Sequence, residues 1–115
     1  GLELYNLNGK RLQTIAAQDP PNNNASNAPS RFNNVAAIKC LSCQDQSKML
    51  VIVTDRGLDQ LRFYMLNDGL LEDVTSPNIP FVFNTNQSEI NKQQTAYGLT
   101  ATNYGDTMTA LVSKR

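Results

Sequence analysis

Two arginines stand where an apolar strand pattern runs out into a loop, a place where an arginine can be a held, aimed cation. One closes Val51-Ile52-Val53-Thr54-Asp55-Arg56, the other Leu111-Val112-Ser113-Lys114-Arg115. A guanidinium fork matches the oxygens of phosphate or carboxylate in a bidentate way, so two converging forks make an anion site. The alternative is that each pairs with a nearby carboxylate, such as Asp55 or Asp59. Asn33-Asn34 offers side-chain carbonyls that either tie down the start of a strand or serve a metal or substrate. Cys40-Leu41-Ser42-Cys43 has the spacing of half a zinc site or a redox pair. Zinc needs two further ligands, and the chain has no other cysteine and no histidine. A redox motif needs a helix N-terminus in a βαβ pattern, which is missing, so the pair reads as free thiols or a small loop disulfide.

The absence of histidine removes the commonest general base near neutral pH and excludes a Ser-His-Asp hydrolase within these residues. Ten basic residues balance ten acidic ones over 115 positions, which gives no electrostatic case for a nucleic-acid or membrane partner. The length suits one ordinary domain. No apolar run approaches the roughly 18 to 20 residues of a membrane span. Without an initiator methionine or a charged-then-apolar leader, the chain reads as a piece of a longer protein.

The elements that must position the arginines are strands. Residues 1–17 read as a hairpin with Asn8-Gly9 in a tight type I′ turn and Lys10 and Arg11 as solvated edge charges. Residues 18–30, rich in Asn, Pro, Ser and Ala, read as an exposed loop in which Asn24-Ala25-Ser26 is formally a glycosylation acceptor. Residues 31–41 form a strand, 50–66 a strand, charged turn and strand, and 70–75 a short fourth strand after the Asn67-Asp68-Gly69 turn. Four such strands make one twisted antiparallel sheet, the shape of a propeller blade, so the fold class is all-β. Residues 81–92 are a second connection in which Phe81, Val82 and Phe83 cover apolar surface. The pattern then restarts. Residues 95–101 take the place of 31–37, and Met108 to Arg115 corresponds to Leu50 to Arg56. In a propeller, equivalent positions of successive blades face one another, which would make Arg56 and Arg115 neighbours on one mouth of the central channel.

The hairpin GLELYNLNGKRLQ (1–13) resembles GLxVYDLxGKxLQ of the β-propeller phytases, Arg31-Phe32-Asn33-Asn34-Val35 resembles their (R/K)(M/L/F)NNV element, and Tyr97-Gly98-Leu99 their YG(F/L) strand. The order and approximate spacing agree over nearly the whole chain. The resemblance implies a six-bladed propeller that hydrolyses phytate, inositol hexakisphosphate, with calcium ions at the channel mouth. It implies substrate-phosphate binding by Arg56, Tyr97 and Arg115, with Lys114 replacing Arg115 after a one-residue slip. It further implies an extracellular or periplasmic, monomeric parent acting on phytate or another phosphate ester, without nucleic-acid or membrane partners. Residues 1–17 would be the outer hairpin of one blade, 31–75 one full blade, and 95–115 the first strands of the next. The family's Asp-rich calcium segment and its acidic residue after the second basic position fall outside these residues, and Ala36 stands where many members carry Asp. Within the segment the catalytic set is therefore incomplete, Asn33 and Asn34 are the only metal-ligand candidates, and the segment alone is expected to be inactive. A non-catalytic propeller acting as a binding or scaffold module, and a calcium-dependent lactonase-like hydrolase, are the alternative readings.

Overall fold

The structure, a computed structural model, describes residues 1–45 and 47–115. It is all-β, built from three antiparallel sheets in chain order. A hairpin pairs β1 (Leu2–Tyr5) with β2 (Arg11–Ile15). A four-stranded sheet follows in the order β3 (Phe32–Lys39), β4 (Met49–Asp55), β5 (Gln60–Asn67), β6 (Leu70–Asp73). After the helix α1 (Gln87–Lys92), a second hairpin pairs β7 (Ala96–Tyr104) with β8 (Thr107–Lys114).

The four-stranded sheet lies between the two hairpins because both of its faces are apolar. Side chains alternate along a strand, so Val51 and Val53 share one face and Leu50, Ile52 and Thr54 the other. On the first face Val53, Tyr64 and Leu71 are buried and packed by Leu2, Leu4 and Ile15 of the N-terminal hairpin. Full burial of each such side chain contributes about 1.5 to 3 kcal/mol. Gln13 completes this junction as a surrogate strand residue. Its amide donates to the Leu71 carbonyl at 2.9 Å and accepts from the Leu71 N–H at 2.7 Å. On the opposite face β7 lies against β3 and β4.

The turns partly depart from expectation. Asp68 and Gly69 both take positive φ (51° and 81°) between the paired Asn67 and Leu70, the two-residue type I′ geometry. Asn8-Gly9 is expected to do the same and does not, because only Gly9 has positive φ (83°). Asn6 is the reason. Its Oδ1 accepts the N–H groups of Asn8 (3.0 Å) and Lys10 (2.9 Å), and its own N–H donates to the Lys10 carbonyl, which closes a three-residue loop.

The long Asn/Pro segment is exposed at its tip, with a 3₁₀ turn at Pro21–Asn23, but Ala28 and Ser30 are buried. Ala28 donates its N–H to Asn91 Oδ1 at 2.8 Å, and Ser30 Oγ donates to Asp55 Oδ2 at 2.5 Å. The connection from 81 to 92 holds a helix that strand reasoning does not anticipate. Asn86 caps it by accepting from the Glu89 N–H (3.0 Å), while the Glu89 carboxylate accepts from Thr85, a reciprocal capping arrangement. Ile90, fully buried, anchors it. Cys40 and Cys43 are joined as a disulfide with Cα atoms 5.4 Å apart, in the loop after β3. That decides between loop disulfide and free thiols.

Candidate functional site

Arg56 and Arg115 occupy equivalent places in successive sheets. The Arg56 N–H donates to the Arg31 carbonyl and the Arg115 N–H to the Thr95 carbonyl, each at 2.9 Å. Two residues before each arginine, the Asn34 N–H donates to Thr54 Oγ1 (3.1 Å) and the Gly98 N–H to Ser113 Oγ (2.8 Å). The correspondence thus runs from Met49–Arg56 onto Met108–Arg115, one residue longer than expected from sequence. Lys114 lies opposite Ala96, as Asp55 lies opposite Phe32, so the structural counterpart of Arg56 is Arg115.

Tyr97 lies between the two cations. Its ring centroid is 5.5 Å from the Arg56 guanidinium carbon and 5.6 Å from that of Arg115, both within cation–π range. The backbone that carries the ring is fixed from the neighbouring sheet. The Tyr97 carbonyl accepts from Asn33 Nδ2 at 2.9 Å and from Thr54 Oγ1 at 3.0 Å. Within its own hairpin, Gly98 lets the Ser113 hydroxyl come close enough to accept the Gly98 N–H, since a β-carbon at Gly98 would sit 2.6 Å from Ser113 Oγ. Asn33 therefore supports the site by holding Tyr97, and Asn34 Oδ1 accepts from the Val35 N–H at 2.9 Å.

Beside this trio opens a pocket of about 340 Å³ lined by Arg31, Arg56, Lys92 and Arg115 together with Asn91, Gln94 and a neighbouring glutamine, with no acidic side chain. Arg31 is oriented by donating to Gln94 Oε1 at 3.3 Å. The pairing of Arg56 with Asp55 or Asp59 does not occur. Among the described residues the ion pairs are Arg11 with Glu3 and Arg62 with Asp73. Asp55 is fully buried and accepts from Ser30 Oγ, the Arg31 N–H and the Leu58 N–H. Asp59, equally buried, accepts from the N–H groups of Phe83 and Asn84 at 2.9 and 2.8 Å. Asp55 and the Oδ2 atom of Asp59 thus serve the backbone, while the buried Arg56 Nε and Asp59 Oδ1 both have no hydrogen-bond partner among the described residues. Four cations around one opening leave a strong preference for an anion.

Two of the four, Arg31 and Lys92, were not singled out from sequence. Arg31 is invisible to the repeat because its equivalent is Thr95, and Lys92 reaches the pocket only through α1, whose sole signal is the Asn86-x-x-Glu89 cap. The residues present do not fit a calcium ion. A hard cation takes several oxygens, commonly carboxylates. The pocket offers none and is ringed by positive charge. Asn33 and Asn34 line a separate cleft of about 180 Å³ that also lacks a carboxylate. No group of three or more His, Cys, Asp or Glu side chains is assembled among the described residues. Comparisons with protein-family models, with curated proteins and with solved structures found no match for this chain.

Proposed function

We propose that this chain is part of a phytase-like β-propeller and supplies the phosphate-holding side of a phosphomonoesterase site. The observation that carries the reading is the convergence of Arg56 and Arg115 on one tyrosine ring, without a carboxylate side-chain partner for either among the described residues, at a pocket that Arg31 and Lys92 also line. Guanidinium forks in that arrangement suit the oxygens of a phosphate ester better than a lone carboxylate, which one fork would satisfy. The stacking of two hairpins on either face of a four-stranded sheet supports the propeller reading, with β3 to β6 as one blade and β7 and β8 as the first strands of the next. Phytate, with phosphates on every ring carbon, could engage several cations at once. Calcium does not fit among the residues of this pocket; in a longer parent its ligands would come from other segments.

The test has two arms. The 115-residue chain should bind phytate with a steep loss of affinity on adding salt, and Arg56→Ala should weaken binding by about 10- to 150-fold, the equivalent of losing one charge-assisted contact of about 1.5 to 3 kcal/mol. A longer parent should release phosphate from phytate only with calcium present. Binding without release in that parent would favour the scaffold alternative. Binding insensitive to Arg56→Ala would remove the phosphate reading altogether.

A further inference from the structure

The side of the pocket formed by α1 and the residues just after it carries amides, and the polarity of two of them is fixed by groups that cannot be reversed. A side-chain amide ordinarily brings both donors and an acceptor. At Asn91 the acceptor is used up. Its Oδ1 accepts from the Ala28 N–H and from Gln87 Nε2, each at 2.8 Å, while its Nδ2 donates to Asn27 Oδ1 at 3.1 Å. Asn27 is set in turn by donating to the Pro21 carbonyl at 2.9 Å. A backbone N–H at one end and a backbone carbonyl at the other thus orient both amides, and the second N–H of Asn91 is what remains to offer. Gln94 is oriented by Arg31. Its Oε1 accepts from the Arg31 guanidinium at 3.3 Å, and a guanidinium only donates. The Gln94 Nε2 donors are left for a ligand.

Arg31, Arg56 and Lys92 also only donate. Apart from the exposed Gln93, the side chains on this side of the pocket therefore meet a tetrahedral oxyanion with positive charge and N–H groups and with no acceptor. Sulfate, or a phosphate group that has lost both protons, offers only acceptors and matches them. A phosphate group that keeps one proton does not, because its hydroxyl must donate and a donor left without an acceptor costs binding. The nearby carboxylates do not supply that acceptor. Asp55 and Asp59 are buried at the β4–β5 turn, and Glu89 on α1 accepts from Thr85. The remaining charged or titratable neighbours are Tyr97 on β7 and Lys114 and Arg115 at the end of β8, and none of these residues is a histidine.

We propose that Gln94 and Asn91 make the pocket selective for the protonation state of its ligand: it takes fully ionised tetrahedral oxyanions, phosphate-ester dianion and sulfate alike, and disfavours the monoprotonated phosphate. The proposal rests on the phosphate reading above and sharpens its ligand class. Gln94 is the position that sets the selectivity. Its neutral oxygen aims Arg31 without cancelling the charge, and a carboxylate there would both neutralise Arg31 and offer the missing acceptor.

The test uses the longest natural chain that carries these residues, with methylphosphonate and inorganic sulfate as probes in titration calorimetry. The carbon–phosphorus bond of the first resists a phosphomonoesterase and its second proton leaves near neutrality, whereas sulfate stays a dianion. Between about pH 5 and 8 the side chain that ordinarily titrates is histidine, which these residues lack. Methylphosphonate should bind about tenfold more tightly at the upper end of that range than at the lower, and sulfate about equally at both. Gln94→Glu, which adds an acceptor, should weaken sulfate about tenfold more than it weakens methylphosphonate at the acid end. Gln94→Leu, which releases Arg31 without adding an acceptor, should weaken both probes alike and leave the pH dependence standing, which a selective role requires and a merely structural one does not. Methylphosphonate bound without sulfate, methylphosphonate bound equally at both ends of the range, or an unchanged ratio in Gln94→Glu overturns the proposal and leaves the phosphate reading in place. Failure of both probes to bind, or binding indifferent to Arg56→Ala, removes the phosphate reading and this proposal with it.

Discussion

Asp55→Ala should destabilise the chain by about 4 kcal/mol, because three donors converge on a carboxylate that no water reaches. Ser30 Oγ at 2.5 Å, the Arg31 N–H at 2.8 Å and the Leu58 N–H at 3.2 Å all end on Asp55. Hydrogen bonds to a charged group contribute roughly 1.5 to 3 kcal/mol each, and bonds sharing one acceptor are not additive. Removing the buried charge also relieves its desolvation, so the total falls well below the sum of three. Asp55→Asn keeps the shape and one acceptor for the backbone donors, while the Ser30 hydroxyl can turn to accept from the new amide. That variant should lose about 1 to 2 kcal/mol. The assay is urea denaturation, read as a shifted midpoint at constant slope, with amide hydrogen exchange at Arg31 and Leu58 as the local readout. Exchange there should quicken in Asp55→Ala and change little in Asp55→Asn. If Asp55→Ala lies within about 1 kcal/mol of the parent, or if the two variants cost the same, this carboxylate does not organise the corner that presents Arg31 and Arg56.

Gly57→Ala should cost more than about 2 kcal/mol, because its β-carbon would overlap the Pro29 carbonyl oxygen and crowd the Arg31 nitrogen. Gly9→Ala, with positive φ but open space around it, should cost only about 1 kcal/mol, so equal losses in thermal melts would contradict the close approach at Gly57. Tyr97→Leu removes the ring shared by Arg56 and Arg115 and should weaken phytate binding by about tenfold, less than Arg56→Ala, as measured by calorimetry. Burial pushes the Asp73 carboxyl up, but the bond from the Thr75 N–H and the nearby Thr75 side chain, with the Arg62 guanidinium, more than offset this and leave it below its ordinary value. A lowered folded-state value contributes stability above the unfolded carboxylate range and loses it as pH falls through the folded value. Asp73→Asn should therefore flatten the acid limb of a stability profile below about pH 4 while also lowering stability at neutral pH. An unchanged acid limb would remove Asp73 from the account.

Sequence alone determined the strands and their approximate limits, since a period of two in apolar residues with β-branched enrichment has few other solutions. It also determined the Asp68-Gly69 turn, where both residues tolerate positive φ, and the equivalence of Arg56 and Arg115, which needs only like residues at like spacing. Asn8-Gly9 has the same local signal and turns differently because Asn6, two positions away, captures the Asn8 and Lys10 amides. The helix was missed because six residues under a single cap are too short for periodicity to register. What the tertiary structure decided is which charges are available. Asp55 and Asp59 lie close to Arg56 in sequence and could each have neutralised it. Asp55 Oδ1 and Asp59 Oδ2 instead meet N–H groups brought in from 24 and 25 residues away, at Arg31, Phe83 and Asn84. That long-range capture leaves Arg56 without a carboxylate side-chain partner among the described residues, and the docking of β7 on β3 and β4 brings Arg115 to the opening that Arg31 and Lys92 also line. The chain thus writes its strands locally, but assigns its cations through contacts between elements distant in sequence.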